Sequence, residues 1–517
     1  MRNFKTVTMR KILPIFLFAF VFTACKKTDF DNPTTLTNQE AVDQIKDLGL
    51  KLTTSSVQSV FRTTTSSAGT HFSLLADQTT NTNGNSSWWD FANEPRLRLN
   101  NNTSYRGAIT WNTFYNNFYQ ANLDATLALD IIETQNKKIF DTQGNERTAD
   151  CQIAAYYAKG VAQGYLGVIF DRGIIVDQAN LSTKDFPDSY KALIANGLKL
   201  IDKSIALAQA NTKFKFEFLN GQAISKDDFI KLANSMAARI LSSQARDKAE
   251  AAALGNEHWN RVLQYAEKGF TADFLLTTVT GGYYNQLITN LVQRNSDGSG
   301  WLPPDLKVAY LADKTGLTPK FYPQSGILPA ITSNDQRFYK YFTYNVSFGI
   351  LIESRGRGLF TNYVRVRWYN PANTLNVPGA VNPYFLAEES RLLRAEAKFW
   401  LKDYAGAAAL LNDGLAARKN IGTLPDVTAT ETELRKALHY EYAIEIDGAG
   451  GAFVPFTFMR RNDLLVGGTP TEYPIPQLQL DLVKQPVYTF GGKGYFNEKG
   501  KYGETATAAD VGWKASE

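Results

Sequence analysis

Cysteine and histidine are scarce in this chain of 517 residues. There are two cysteines, Cys25 and Cys151, and three histidines, which lie far apart along the chain. A framework of disulfides is therefore excluded, and no spacing of Cys and His suits a zinc site. We predict that the chain holds no metal and no disulfide. We also predict that Cys151, inside a helical pattern, is a small buried apolar residue.

An excess of charge of one sign is also missing, and so are long apolar runs. Residues 1–24 carry four basic side chains and no acidic one, and the rest of the chain has 51 basic and 50 acidic residues. This balance gives no indication of nucleic-acid binding. No glycine-rich stretch lies between a strand pattern and a helix pattern, so we expect neither a nucleotide site nor another cofactor.

The first residues have the pattern of an export signal. A basic stretch, Met1–Lys11, precedes the apolar run Ile12–Phe22, which is too short to span a membrane. Translation starting at Met9 would keep the same pattern. The following Thr23-Ala24-Cys25 resembles a bacterial lipoprotein cleavage site. We predict a signal peptide at 1–24, lipidation of Cys25 and a tether at 25–37; the alternative is an ordinary secretory signal with an incidental cysteine.

A helical hairpin is predicted for 382–418. Leu393, Ala397 and Trp400 lie on one helix face, and after a turn at Lys402–Asp403 large and small residues alternate at spacings of three and four. This is the pattern of a tetratricopeptide-type repeat, which cannot bury its apolar face alone. The same spacing returns at Trp259, Val262, Ala266 and Gly269.

Helical patterns dominate the rest of the chain. Three glycines, Gly160, Gly164 and Gly167, share one face of one predicted helix, which indicates a close neighbouring backbone. Thr430 and Glu433 have the spacing of a capping box. We predict a mainly α protein of tetratricopeptide-like hairpins, with helices over Asn38–Leu52, Trp111–Glu133, Thr148–Ile169, Ser189–Gln209, Asp227–Arg246, His258–Phe270 and Thr430–Ile446.

The chain divides into a helical part at 38–270, a loop-rich insertion at 271–380 and a second helical part with a tail at 381–517. Within the first part, 53–102 is rich in Ser, Thr and Asn and is predicted to be mainly loop. The insertion is far longer than an ordinary connection, and such insertions often carry function. Its segment Tyr363–Trp368 alternates as a strand would.

Aromatic residues in the two loop-rich stretches are candidates for a binding site. Flat rings pack against the C–H faces of sugars, and polar side chains hold the hydroxyl groups. We predict ligand contacts from Trp88 and Trp89, and from Tyr283, Tyr284, Asn285, Arg294 and Trp301 in the insertion. Gln286 is a further polar candidate. The alternative is that these rings pack the loops onto the helices.

Paired carboxylates raise the question of catalysis, because a glycosidase needs two across a sugar. Glu388 and Glu389 are neighbours that point apart on a helix, and Glu441 and Glu445 have a spacing usual on solvated helix faces. We therefore predict that Glu441 and Glu445 lie on a solvated helix face, that Glu388, Glu389 and Glu396 form a solvated or partner-facing edge of a scaffold helix, and that the protein is no enzyme. The segment 297–300 has too few carboxylates for a calcium loop.

Four features together resemble the SusD/RagB-like outer-membrane lipoproteins of Bacteroidetes. One is the cleavage site at Cys25. The others are W-x2-FY-x2-F-x3-N at 111–122, LLRAEAKFWLKDYAGAAALLNDGLAAR at 392–418, and YPIPQ at 473–477 followed by QPVY at 485–488. The chain departs from the family at 446–453, where a run similar to FEGHRWFDLRR is replaced and only Phe458–Arg461 matches its end.

The resemblance implies about four tetratricopeptide-like pairs and a loop-built binding region. It also implies a lipoprotein of the outer membrane that faces the cell surface and has a SusC-like TonB-dependent transporter as its partner. In this interpretation the protein captures oligosaccharides without catalysis and passes them to the transporter. Two alternatives remain: a RagB-like peptide-binding lipoprotein and a lipid-anchored glycan hydrolase.

Overall fold

The long apolar-faced segments fold as helices, and serine side chains cap the starts of two of them, Tyr190–Ala210 and Lys226–Ser242. Ser189 Oγ accepts a hydrogen bond from Ala192 N, and Ser225 Oγ accepts one from Asp228 N. The computed structural model describes residues 38–81, 87–94, 96–177, 185–219, 221–294, 298, 300–320, 328–346, 361–370, 378–449, 453–492 and 512–514. The predictions for the signal peptide at 1–24, for Cys25 and for the tether at 25–37 lie outside these residues.

The described helices confirm a mainly α protein. In the first part of the chain they are α1 (Asn38–Thr64), α2 (Thr70–Leu75), α3 (Trp88–Ala92), α4 (Ile109–Leu129), α5 (Thr148–Ile169), α6 (Tyr190–Ala210), α7 (Lys226–Ser242), α8 (Lys248–Ala253) and α9 (Gly255–Glu267). Then follow α10 (Gln286–Val292), α11 (Leu306–Ala312), α12 (Gln336–Tyr341), α13 (Ala387–Trp400), α14 (Tyr404–Asn412), α15 (Ala417–Asn420), α16 (Glu431–Ile444), α17 (Phe453–Arg461) and α18 (Gln477–Leu482).

The described strands are short and form two-stranded antiparallel pairs. In β5–β8, Phe274 lies opposite Phe385, and in β6–β7, Phe342 lies opposite Arg365. The first of these pairs joins the start of the insertion to the strand that follows it, and the second lies within the insertion. The strands are β1 (Arg172–Gly173), β2 (Asp188–Ser189), β3 (Phe216–Leu219), β4 (Gln222–Ile224), β5 (Phe274–Thr277), β6 (Phe342–Tyr344), β7 (Tyr363–Arg365) and β8 (Val381–Phe385).

Successive helices pack side by side within the unit Lys46–Glu517. The close approach predicted from the glycines of α5 is confirmed, because α6 crosses directly over them. A Cβ on Gly160 would lie 2.7 Å from Gly197 O, and a Cβ on Gly167 would lie 2.6 Å from Tyr190 O. Only hydrogen fits at this crossing, so the two backbones touch.

The predicted hairpin at 382–418 forms from α13 and α14. Lys402 adopts a positive φ of 62° in the turn, and Asp403 caps α14 by accepting a hydrogen bond of 2.9 Å from Gly406 N. Its predicted companion repeat is its direct neighbour, since Trp400 of α13 stacks on Trp259 of α9 with ring centroids 5.5 Å apart. Both indoles fill the space between the two repeats.

The prediction that the glutamates of α13 and α16 are solvated is wrong. Glu389 and Glu441 are 0% exposed. Glu389 receives two hydrogen bonds from the Arg239 guanidinium, at 2.6 and 2.7 Å. Glu441 receives two from Arg337, at 2.6 and 2.9 Å. Sequence spacing could not show this, because the arginines lie over 100 residues away.

Glu396 and Glu445 are buried in the same way, and Glu388 is buried too. Glu396 forms a paired contact with Arg461 at 2.6 and 2.7 Å, and Glu445 accepts from Arg367 at 2.6 Å. These carboxylates therefore join helices to one another and to the insertion.

The two stretches predicted to be loops contain more regular structure than their composition indicates. Helix α1 continues to Thr64 rather than ending at Leu52, and α2 and α3 follow it. The insertion contains α10, α11 and α12. The predicted strand at Tyr363–Trp368 forms as β7 and ends at Arg365. The sequence does not predict these short helices, because fewer than two turns are too few to show a repeating apolar pattern.

The YPIPQ segment closes the body against the start of α4. Tyr473 is buried, and its ring centre lies 5.6 Å from that of Trp111. The backbone of Tyr473 forms a parallel β-bridge with that of Phe170. Asn101 donates to Ile475 O at 2.9 Å and accepts from Trp111 Nε1 at 3.0 Å. This motif is therefore a structural seam.

Cys151 is buried as predicted, and burial raises the pKa of its thiol to about 12. Within the described ranges, no group of three or more His, Cys, Asp and Glu side chains is placed to hold a metal ion. None of the described helices is both long and apolar enough to cross a membrane.

We predict that Glu389→Gln destabilises the fold by about 3–5 kcal/mol, because it leaves the buried Arg239 guanidinium without its counter-charge. Although burial alone lowers the pKa of Arg239, Glu389 raises it above its ordinary value. The measurement is the free energy of unfolding in urea.

The neighbouring Glu388→Gln is the matched control. Burial raises the pKa of Glu388 to about 7, so its carboxylate is disfavoured in the fold. Its contribution to stability is present below the unfolded value of 4.5 and is lost as the pH rises through 7. We expect Glu388→Gln to be neutral or stabilising at pH 8; equal losses from the two variants would contradict this account.

We predict that Gly197→Ala destabilises the protein by about 1–3 kcal/mol, because overpacking outweighs the better helix propensity of alanine. The new methyl group would lie 2.7 Å from both Gly160 O and Gly164 N. Gly414→Ala is the control, since nothing lies within 4 Å of its added Cβ. Denaturant midpoints compare the two, and an unchanged midpoint for Gly197→Ala would show that the helices can separate freely.

Candidate ligand-binding surface

The segment that carries Tyr283, Tyr284 and Asn285 leads into helix α10. Asn285 is buried and caps this helix, because its Oδ1 accepts a hydrogen bond of 3.0 Å from Ile288 N. The helix is held in turn by Leu287 N, which donates to Thr65 O at 3.0 Å. The structure thus uses the Asn285 side chain to position the start of α10.

The two tyrosines before this cap differ in exposure. Tyr283 is 1% exposed and its ring meets that of Tyr384 at 6.2 Å, edge to face. Burial raises the pKa of its hydroxyl well above the ordinary value. Tyr284 is half-buried, and its carbonyl accepts from Thr65 Oγ1 at 3.5 Å. Tyr284 is therefore the one of the pair with surface available to a ligand.

Arg294 and Trp301 lie beside each other at the end of the same segment. Arg294 and Gly300 form an antiparallel bridge, and Trp301 N donates to Gln293 O at 3.1 Å. The Trp301 ring is half-buried against the main core, and its carbonyl accepts from Asn81 Nδ2 at 3.0 Å. Both ends of this loop are thereby held in place.

Three residues that the sequence did not single out complete this surface. The Arg294 guanidinium lies 4.0 Å from the ring centre of Tyr369, which is 41% exposed. The guanidinium carbon of Arg367 lies 4.0 Å from the ring centre of Tyr341 and 4.5 Å from that of Trp368. We call Arg294, Trp301, Arg367, Trp368 and Tyr369 the aromatic–arginine surface.

Trp368 has an unusual backbone conformation, with φ at +65°. For a bulky residue the left-handed region is an outlier, and such strain clusters at binding and catalytic sites. The signal in the sequence is the pair of aromatics, Trp368 and Tyr369, directly after two arginines at the end of the strand pattern. The alternation of Tyr363–Trp368 predicts only a strand there.

Arg365 and Glu445 anchor this surface to the scaffold. The Arg365 guanidinium donates to Asp447 at 2.6 and 3.1 Å, to Leu302 O at 2.7 Å and to Gln78 O at 2.6 Å. Glu445 accepts from Arg367 as described above. Arg365 thus joins four segments from distant parts of the chain, and it holds them without water-exposed contacts because it is buried.

Trp88 and Trp89 lie on helix α3, whose contacts differ from those of the aromatic–arginine surface. Trp88 is 5% exposed and Trp89 is half-buried. On the same helix, Phe91 meets the His71 ring at 4.2 Å and Asp90 accepts a hydrogen bond from Tyr105. The structure brings Arg294 onto the ring of Tyr369, and Trp301 adjoins Arg294 through the backbone bridge at Gly300. It places the Trp88–Trp89 pair on a separate element.

Solved structures with the same fold exist. A SusD-superfamily protein from Parabacteroides distasonis is 12% identical and aligns over 92% of this chain and 96% of its own, with a TM-score of 0.54. A SusD-like carbohydrate-binding protein from Bacteroides vulgatus is 12% identical over 90% and 94%, with a TM-score of 0.51. A SusD/RagB family protein from Bacteroides thetaiotaomicron is 13% identical over 85% and 95%, with a TM-score of 0.50.

Sequence comparison alone adds nothing to these likenesses. No protein-family model matches the chain, and no curated protein sequence matches it either. At 12–13% identity the structural likeness shows the fold, over most of the chain. It confirms the predicted class, a mainly α body of tetratricopeptide-like hairpins with an inserted loop-rich region.

Proposed function

We propose that this chain, which has the SusD-like fold, is a non-catalytic binding protein for oligosaccharides. The observation that carries the proposal is the aromatic–arginine surface, where exposed ring area and guanidinium groups meet on one rigidly anchored part of the insertion. Ring faces pack on the C–H faces of pyranoses, and guanidinium N–H groups donate to hydroxyl oxygens. One structural neighbour is a SusD-like carbohydrate-binding protein, which supports the same ligand class.

Within this proposal the residues have distinct roles. Trp301 and Tyr369 offer ring faces, and Arg294, which lies over the Tyr369 ring, orients that ring and donates to the ligand. Tyr284 extends the contact area, while the buried Tyr283 and Asn285 support the loop that carries it. Trp89 offers a half-buried ring on the separate helix α3, beside the buried Trp88. The strained backbone at Trp368 sets the direction of its indole relative to Arg367.

We further propose that the protein is an outer-membrane lipoprotein, anchored through Cys25 at the cell surface, which passes its ligand to a SusC-like TonB-dependent transporter. The basic and apolar residues of 1–22 and the cleavage-site pattern before Cys25 support the anchor. The SusD-like fold supports the choice of transporter partner. The burial of Glu389, Glu441 and Glu396 in ion pairs with arginines supports a non-catalytic role.

We predict that Trp301→Ala lowers the affinity for a bound glycan at least tenfold, about 1.4 kcal/mol, because it removes a ring face. A glycan array identifies the ligand, and isothermal titration measures it. Trp400→Ala removes an indole from the scaffold helix α13 and is the matched control, expected to bind as the wild type does.

A folded Trp301→Ala protein that retains full affinity, together with a folded Arg294→Ala protein that does the same, would place the site elsewhere. Binding of peptides but of no glycan would favour the RagB-like alternative. Release of shortened sugars from a bound glycan would instead support a hydrolase.

We predict that Cys25→Ala abolishes acylation and membrane attachment, because the thiol is the acyl acceptor in the proposed anchor. Metabolic labelling with an alkyne fatty acid, followed by membrane fractionation, measures both. Cys151→Ala is the control, since Cys151 is buried in the fold and should leave labelling unchanged. Labelling that persists in Cys25→Ala would rule out the lipoprotein anchor.

A further inference from the structure

Two side chains of the short turn Gly512–Lys514 are buried by residues from far earlier in the chain. Trp513 is 1% exposed and Lys514 is 3% exposed. Trp513 Nε1 donates to Asp77 Oδ2 at 2.9 Å, and the Lys514 ammonium forms an ion pair with Glu94. Both partners lie more than 400 residues away in sequence.

Without Lys514, the site that receives these side chains contains three carboxyl groups and two cationic side chains. Asp77, Glu94 and Asp305 meet there, and Arg96 and Lys307 are the cations of the same cluster. Arg96 pairs with Asp77, while Lys307 Nζ donates to Ala76 O at 2.6 Å. Lys514 is the third cation of the cluster and pairs with Glu94. Burial raises the pKa of Glu94 and of Asp305, and Lys514 opposes that rise at Glu94.

The backbone of the turn fits this place as closely as its side chains do. Gly512 has a φ of +60°, and an added Cβ would lie 2.4 Å from Leu465 O. Trp513 N donates to Leu464 O at 2.9 Å. We call the receiving surface, formed by Asp77, Glu94, Tyr310 and Leu464–Leu465, the indole–ammonium seat.

The seat lies at the edge of a large open cleft. The cleft has a volume of about 1010 Å³, and Trp513 forms part of its lining together with Tyr310, Asp313, Asp335, Arg418 and Tyr440. The rings of Trp513 and Tyr310 are 5.6 Å apart. The Trp513 side chain therefore closes one side of a cavity in which charges of both signs are exposed.

We propose that the indole–ammonium seat is a binding pocket for a peptide segment in which an aromatic residue precedes a lysine, and that Gly512–Lys514 is its resident ligand. A carboxylate accepts the indole N–H, a second carboxylate pairs with the ammonium, and the Tyr310 ring meets the indole. When the resident turn leaves, the seat is open to a competing segment and the cleft widens. This proposal does not depend on sugar binding at the aromatic–arginine surface.

The test uses a chain that ends at Val511 and a fluorescent peptide of sequence AADVGWKASE, residues 508–517. We expect the shortened chain to bind the peptide at least tenfold more tightly than the full chain does, measured by fluorescence anisotropy. Peptides with alanine in place of the tryptophan or of the lysine should lose at least tenfold in affinity. Equal binding to both chains, or no binding to a folded shortened chain, would overturn the proposal.

A second variant empties the seat without shortening the chain. Full-length Trp513→Ala/Lys514→Ala should bind the peptide as the shortened chain does, whereas Leu482→Ala, which removes an exposed side chain, should not. Circular dichroism melts accompany each measurement. If both emptied proteins fail to fold, the turn is an inseparable part of the body and the proposal is wrong.

Discussion

Buried arginine–carboxylate pairs are the constraint on which this structure depends. Arg239 with Glu389, Arg461 with Glu396 and Arg337 with Glu441 are each at most 3% exposed and joined by two close hydrogen bonds. Removing a buried charge's partner costs several kcal/mol, so each pair admits one arrangement of the helices that carry it. The same pairs withdraw the glutamates from any catalytic role.

The pairs also connect the scaffold to the insertion. Arg365 with Asp447 and Arg367 with Glu445 both join the region after α16 to the residues around β7. These ion pairs thus hold the aromatic–arginine surface against the helices. A binding surface needs such support, since ring faces displaced by about 1 Å no longer match a ligand.

The motifs that resemble the SusD-like proteins are structural. The W-x2-FY-x2-F stretch of α4, the hairpin of α13 and α14, and the YPIPQ seam fill the core or close it. Residues at a packed seam are restricted to a few shapes, whereas loop residues that meet a ligand are free to vary with it. This explains how a chain 12–13% identical to its structural neighbours keeps their fold.

By itself, the sequence determined the helices with clear apolar periodicity, the close crossing at Gly160 and Gly167, the paired repeats of Trp259 and Trp400, and the family fold. These depend on local spacing, which the chain order displays. Only the tertiary structure decided that Glu389 and Glu441 are buried, and that Arg294 meets Tyr369 and the backbone of Arg365. Such pairings join residues more than 60 positions apart, and no local pattern records which distant cation a carboxylate will face.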